Sequence, residues 1–184
     1  MPTDVLMGLK DLGVKQVLDL SYHLEMFQFA TEEFIKRNRG ASEAPWPLIS
    51  PICPVVNRLI ALKHPNLLPH IMPLKRPVAQ AAQEIRHQIS FRDEIYASAI
   101  QLYHITPCIS KVVTKEGRVF DALASIDQAL GIKDIYPALS KQVERINEMD
   151  IKMFPYDHFN TVPSARGPMW GMSGGEVASM PIDP

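Results

Sequence analysis

The stretch PVAQAAQEIRHQISFRDEIYASAIQLYHITP, residues 77–107, decides how the chain is read. Pro77 and Pro107 bracket it, and neither proline nor glycine interrupts the residues between them. Val78, Ala82, Ile85, Ile89, Tyr96, Ile100 and Tyr103 fall on one face of a helix at about 100° per residue. Phe91, Ile95 and Leu102 form a second, narrower stripe round the cylinder. The pattern predicts one long helix, Val78–Ile105, as the spine of the fold. A helix apolar on two sides needs cover on both, so Phe91, Ile95 and Leu102 are expected to bind a partner or another part of the chain.

Before the spine lies a proline-dense belt, residues 45–77. Pro45, Pro47, Pro51, Pro54, Pro65, Pro69, Pro73 and Pro77 are half of the chain's 16 prolines. Each removes a backbone donor and biases its predecessor to extended geometry. Within the belt Pro54 suits a first helical turn, with Val55, Leu59 and Leu62 as the apolar face of a short helix. Prolines at every fourth position from Pro65 do not share a side of a three-fold polyproline helix. Leu67, Leu68, Ile71, Met72 and Leu74 make the segment too apolar for a linker, so it is expected to pack as an ordered extended strap. Nearer the N-terminus, Asp11 reads as the cap of a long helix reaching Arg37 and stopped by Gly40. Its apolar face is Val17, Leu20, Leu24, Phe27, Phe34 and Ile35, and its polar face Glu25, Gln28, Glu32 and Lys36.

After the spine, residues 112–120 read either as a hairpin about Glu116-Gly117 or as the approach to a helix from Arg118 closed by Gly131; the helix is preferred. A further helix begins near Asp134, takes Pro137 in its first turn and turns Leu139, Val143, Ile146 and Met149 inward. Periodicity stops at about Phe154. The remainder carries Phe154, Tyr156, Phe159, Met169, Trp170 and Met172 among prolines and glycines, which reads as an arm that docks on a partner by those side chains. The expected fold is therefore mainly α: a single-domain helical bundle of about four to five helices, with a proline-rich extended belt and an irregular C-terminal arm. Residues 1–153 form the helical core, including the belt 45–77, and 154–184 the arm.

The bulk composition excludes several classes. The chain has 184 residues, 46% hydrophobic and 21% charged, with net charge −1, so no long-range field favours nucleic acid or anionic membrane. No run approaches the length of a membrane span, and no cationic head precedes an apolar run as in a signal peptide. An intracellular, soluble, cytoplasmic protein is the default expectation. Cys53 and Cys108 are the two cysteines. They read as buried free thiols, with a single disulfide as the alternative, and neither has a basic neighbour in sequence to lower its pKa.

The candidate chemistry is sparse. Glu84 and His87 form a Glu-x-x-His motif, half of what a ferritin-like di-iron bundle uses, with Glu25, Glu32 or Glu33 as the bridging carboxylate. No second such motif occurs, and His87 projects away from the main apolar stripe. His104 reads as a helix-terminal histidine with a structural hydrogen bond, with a tetrapyrrole ligand as the alternative. Ser173-Gly174-Gly175 follows no strand and makes no nucleophile elbow. Arg92 and Asp93 read as a charge pair. The preferred function is thus a non-catalytic structural or assembly subunit (coat, scaffold or accessory subunit of a larger complex) with no cofactor, bound to other subunits or to itself through belt and arm. The alternative is a helical-bundle protein holding a metal at Glu84 and His87 or a small ligand. A fainter one is nucleic-acid backbone contact through Arg37, Arg39, Lys75 and Arg76.

Overall fold

The computed structural model describes residues 2–40, 45–116, 126–148 and 175–178. Along the chain run α1 (Pro2–Asp11), α2 (Ser21–Asn38), α3 (Pro54–Lys63), a 3-10 segment Pro65–His70 and α4 (Pro77–Arg92). A 3-10 turn Ala97–Ala99 then leads to β1 (Tyr103–Thr106), α5 (Ile109–Glu116), β2 (Gln128–Gly131), α6 (Ile132–Glu148) and a single turn α7 (Gly175–Ala178).

The decisive stretch is not one helix. Pro77 starts α4 as expected, but the helix stops at Arg92. The Asp93 N–H still reaches the Ile89 carbonyl at 2.9 Å, Glu94 turns to a φ of 53°, and the Ile95 N–H closes on the Ser90 carbonyl at 3.2 Å. The Ser90 hydroxyl donates to the Ile95 carbonyl at 2.6 Å and fixes the reversal. A left-handed residue just past the last turn is a common helix stop. Glycine is its usual occupant, so a glutamate there sends no stop signal in the sequence.

β1 and β2 pair in parallel, with Tyr103 opposite Gln128 and Thr106 opposite Gly131. The expected mainly α helical bundle is thereby corrected to an α/β fold. Parallel strands need a crossover, and α5 lies within it. Tyr103, Ile105 and Thr106 are β-prone types. Four residues are too few for alternation to outweigh a helical period that already included Ile100 and Tyr103. β2 likewise falls where a helix closed by Gly131 was expected; that glycine ends a strand and leads straight into α6.

Arg86 ties these pieces together. Its guanidinium donates to the Ala97 carbonyl at 2.8 Å, to the Ile100 carbonyl and to Asp127 Oδ2 at 2.6 Å. Asp127 Oδ2 also accepts the Leu102 N–H at 2.7 Å, and the Asp127 N–H returns to the Leu102 carbonyl at 2.9 Å. One arginine on α4 thus fixes the lead-in to both strands. Beneath it Ala82 and Ile126 are buried, with Val78 and Leu102 packed against them.

α1 and α6 pack closely because Gly8 has no side chain: a Cβ there would stand 2.9 Å from Leu139 Cδ1 and 3.4 Å from Val143 Cγ2. Leu139 and Val143 are half-buried and Ile146 buried, as the helical period of α6 implies. Asp11 ends α1 rather than opening a long helix. The reason is Gly13, whose φ of +93° breaks the chain direction. The second helix restarts at Ser21, where Asp19 Oδ1 accepts the Ser21 N–H at 2.8 Å. Gln28, assigned by sequence to a polar face, is 1% exposed and donates to Glu32 Oε1 at 2.9 Å.

The belt is ordered, though as a helix, a 3-10 segment and a bridge more than a simple strap. The Ile49 N–H meets the His70 carbonyl at 2.8 Å and the Met72 N–H meets the Ile49 carbonyl at 2.9 Å, and Met72 is buried. α3 starts at Pro54 as expected, yet its covered face is Pro54, Asn57 and Ile60. The Asn57 amide donates to the Pro51 carbonyl at 2.8 Å and holds the helix in that rotation. Val55, Leu59 and Leu62, the expected apolar face, stand 53%, 52% and 68% exposed. Among the described residues no helix is long and apolar enough to cross a membrane.

Candidate thiolate site at two helix N-termini

Cys53 and Cys108 hold equivalent places in the fold. Cys53 is the extended residue immediately before α3, and Cys108 immediately precedes α5. Unsatisfied N–H groups and the helix dipole favour an anion at such a position, and a thiolate is one. α3 and α5 pack together. The residues that follow the two cysteines, Pro54 with Val55 and Ile109 with Ser110, line one open groove of about 460 Å³. Arg58 and Lys63 are its cationic walls, Leu59 and Leu62 its apolar ones.

The chemistry around Cys108 is set by its own helix start. Its sulfur lies 2.9 Å from the Ser110 hydroxyl, and its N–H donates to Thr106 Oγ1 at 3.3 Å from a buried residue at the end of β1. The Ser110 hydrogen bond lowers the thiol pKa most; burial opposes it, and the Ser110 and Lys111 backbone N–H groups and the Lys111 charge add to the lowering. Beside Cys53 stands Arg76, the residue before α4. Burial brings its guanidinium below the ordinary value, and the charge of Cys53 pulls it back up. Each sulfur therefore has one cation near it, Lys111 or Arg76.

His104, on β1, is a strand residue and not a helix-terminal one. Burial, with a smaller contribution from the Lys111 charge, pushes its pKa down to about 4, so the ring is neutral at pH 7. Its Nε2 is buried without a hydrogen-bond partner among the described residues.

The residues singled out by sequence lie elsewhere. Glu84 does not converge with His87: its Oε2 is 3.3 Å from Nε2 of the buried His23 on α2, and its Oε1 accepts from Gln88 at 2.9 Å. His87 borders a shallow depression with Ser90, Phe91, Arg92 and Glu94 at the end of α4. No group of three His, Cys, Asp or Glu side chains among the described residues is disposed to hold a metal. Arg92 and Asp93 form a half-exposed pair at 2.6 Å. Phe91 is 84% exposed and Ile95 41%, whereas Leu102 lies off the helix and packs inward, so the three make no stripe. Phe154, Tyr156, Phe159, Met169, Trp170 and Met172 lie outside the described residues. Arg37 is engaged by Glu33 at 2.8 Å and Lys75 by Gln83.

Sequence reasoning passed over the cysteines by reading them as buried thiols without basic neighbours. Cys53 is exposed and Cys108 half-buried. Lys111, three positions on, becomes a neighbour only once α5 coils. The signal was present as Cys53-Pro54, a thiol directly before a helix-starting proline.

A short parallel β-α-β unit with flanking helices defines an α/β domain that carries a thiol before each of two helices. A family model described as the iron only hydrogenase large subunit, C-terminal domain, matches residues 1–181. The chain belongs to that family, which overturns the structural or assembly subunit expected from sequence. Solved structures agree in fold. The apo [FeFe]-hydrogenase HydA1 from Chlamydomonas reinhardtii, in a singly substituted variant, superposes with a TM-score of 0.62 at 15% identity over 90% of this chain. A second variant of that HydA1 gives 0.59 at 16% identity, again over 90% of this chain, and the [FeFe]-hydrogenase HydA(deltaEFG) gives 0.60 at 16% over the same share. The chain spans 42% of the length of each of these structures. No curated protein matches it.

Proposed function

We propose that this chain is a cluster-binding domain of the hydrogenase type, in which Cys53 and Cys108 supply thiolates to an iron centre. The observation that carries the reading is the placement of the chain's two cysteines directly before two packed helices, each near a cation. Iron–sulfur clusters are held chiefly by cysteine thiolates, commonly four to a cluster. This sequence holds two. The donor set is therefore half of a four-thiolate site, and the residues described here do not complete one. The chain's own contribution is to favour the anion at Cys108 and to set one cation near each sulfur, Arg76 by Cys53 and Lys111 by Cys108, which would offset the negative charge of a thiolate-bound centre.

Anaerobic titration with cobalt(II) tests this reading, because thiolate-to-cobalt charge transfer in the near ultraviolet reports sulfur ligands directly. The band is expected in the full chain and should fall by about half in Cys53→Ser and in Cys108→Ser, with affinity weakened roughly tenfold or more. A band unchanged by both substitutions, or no band at all, would refute the thiolate role.

A further inference from the structure

We infer that the groove between α3 and α5 is a docking site for an amphipathic helix of a partner protein, one whose apolar stripe is edged by carboxylates on both sides. The inference is independent of the thiolate role proposed above and concerns the outward surface of the same two helices.

Shape gives the first argument. Val55, Leu59 and Leu62 lie at spacings of four and three along α3 and are 53%, 52% and 68% exposed. Across the groove Ile109 is 60% exposed. From Val55 to Leu62 the stripe runs about 10 Å, or about two helical turns. Spacings of four and three are those by which one helix seats its side chains between those of another. Asn57 and Ile60 face inward on α3, and the Asn57 amide holds the Pro51 carbonyl at 2.8 Å, so the fold keeps the stripe turned out. A trough between two helices fits the cylinder of a third helix better than the flat face of a bilayer.

Charge decides which kind of helix. At helical spacing Arg58 projects about 70° to one side of the stripe and Lys63 about 70° to the other. Both are exposed and border the groove. Arg37, Arg86 and Arg92 each have an acidic partner, at 2.8, 2.6 and 2.6 Å. Arg58 and Lys63 have none among the described residues, and α3 itself contains no acidic residue. A second copy of α3 would bring the same cations and no acid to the seam, which costs affinity. A helix with Glu or Asp on both flanks gives each cation an opposite charge, as flanking charges do when helices pair. The whole chain has a net charge of −1, so no overall field draws in an acidic partner; the attraction is local to this groove.

The probe is a fluorescein-labelled, alanine-based helical peptide of about 20 residues, with leucines along its seam and glutamates on both flanks. A control peptide carries lysines in place of the glutamates. Fluorescence anisotropy with the full chain should show the acidic peptide binding roughly tenfold or more tighter than the basic one, and weakening as salt is added. Leu62→Ala should weaken the acidic peptide roughly tenfold, and Arg58→Glu combined with Lys63→Glu should invert the preference between the two peptides. These side chains stand in solvent, so circular dichroism and melting temperature should stay those of the parent. No binding of the acidic peptide, equal binding of both peptides, or a preference indifferent to the charge reversal would overturn the proposal. It would also fall if light scattering showed a dimer that Leu62→Ala dissociates, which gives the stripe to a second copy. Co-sedimentation with phosphatidylglycerol vesicles that the charge reversal abolishes would give it to a membrane instead. Both cysteines are untouched in every variant, so the cobalt band should persist, and failure here is distinct from failure of the thiolate role.

Discussion

Replacing Arg86 by alanine should remove a disproportionate part of the stability of this fold. The guanidinium is 20% exposed and serves three acceptors: the Ala97 and Ile100 carbonyls and Asp127, whose side chain is 46% exposed. Leaving the part-buried Ile100 carbonyl without a donor costs about 1–1.5 kcal/mol, the exposed Ala97 carbonyl about 0.5 kcal/mol, and losing a half-exposed ion pair about 1 kcal/mol. The expected loss is therefore about 2.5–3 kcal/mol, about a sixth or more of the total stability of a typical domain. For a chain of this length that lowers the melting temperature by about 8 °C. Urea denaturation followed by far-ultraviolet circular dichroism gives the number. Arg86→Lys should recover less than half, because an ammonium cannot span two carbonyls and a carboxylate as the fork does. In a double-mutant cycle, Arg86 and Asp127 should couple by about 1 kcal/mol. Arg86→Ala within about 0.5 kcal/mol of the parent, or full rescue by lysine, would show that the strands are held by something else.

Other expectations follow from single contacts. His104 is neutral in the fold, with a pKa of about 4 against 6.5 in the unfolded chain. Below pH 6.5 the unfolded chain binds the extra proton, so stability should fall as pH drops from about 6.5 to 4, by about 2 kcal/mol after allowance for partial exposure. His104→Gln should flatten that part of the denaturation-versus-pH curve, and an unchanged slope would count against the burial argument. The Cys108 thiol should react with iodoacetamide at lower pH than an ordinary cysteine, and Ser110→Ala should move the alkylation profile upward; coincident profiles would deny Ser110 its role. Gly13→Ala should cost about 1 kcal/mol, because the φ of +93° suits glycine and not alanine. Gly8→Val should cost more than Gly8→Ala, since the branched side chain drives further into Leu139 and Val143; thermal melts of the two variants give the order.

Local rules in the sequence located the helices whose ends carry ordinary signals. Pro54 and Pro77 open α3 and α4 where a fixed φ and a missing donor cost nothing. α6 starts at Ile132 and not near Asp134, so Pro137 lies inside the helix and not in its first turn, while Leu139, Val143 and Ile146 recur at helical spacing. The misreadings occurred where such signals were absent or shared. Glu94 stops α4 in a conformation usually left to glycine, so Val78–Ile105 read as one helix. Gly131 fits the end of a strand as well as the end of a helix. Each error converted a strand to helix, and together they turned an α/β fold into a bundle.

Sequence alone determined that Cys53 and Cys108 are the only thiols and that each adjoins a proline. It also determined that Val55, Leu59 and Leu62 share one side of a helix. Tertiary structure decided what those facts mean. The Asn57 amide binds the Pro51 carbonyl and turns the apolar side of α3 outward, and the packing of α3 on α5 brings the residues that follow both cysteines to one groove. A hydrogen bond between positions six apart and a contact between helices some fifty residues apart leave no period in the sequence. They exist only once the chain has closed on itself, and the candidate site exists only with them.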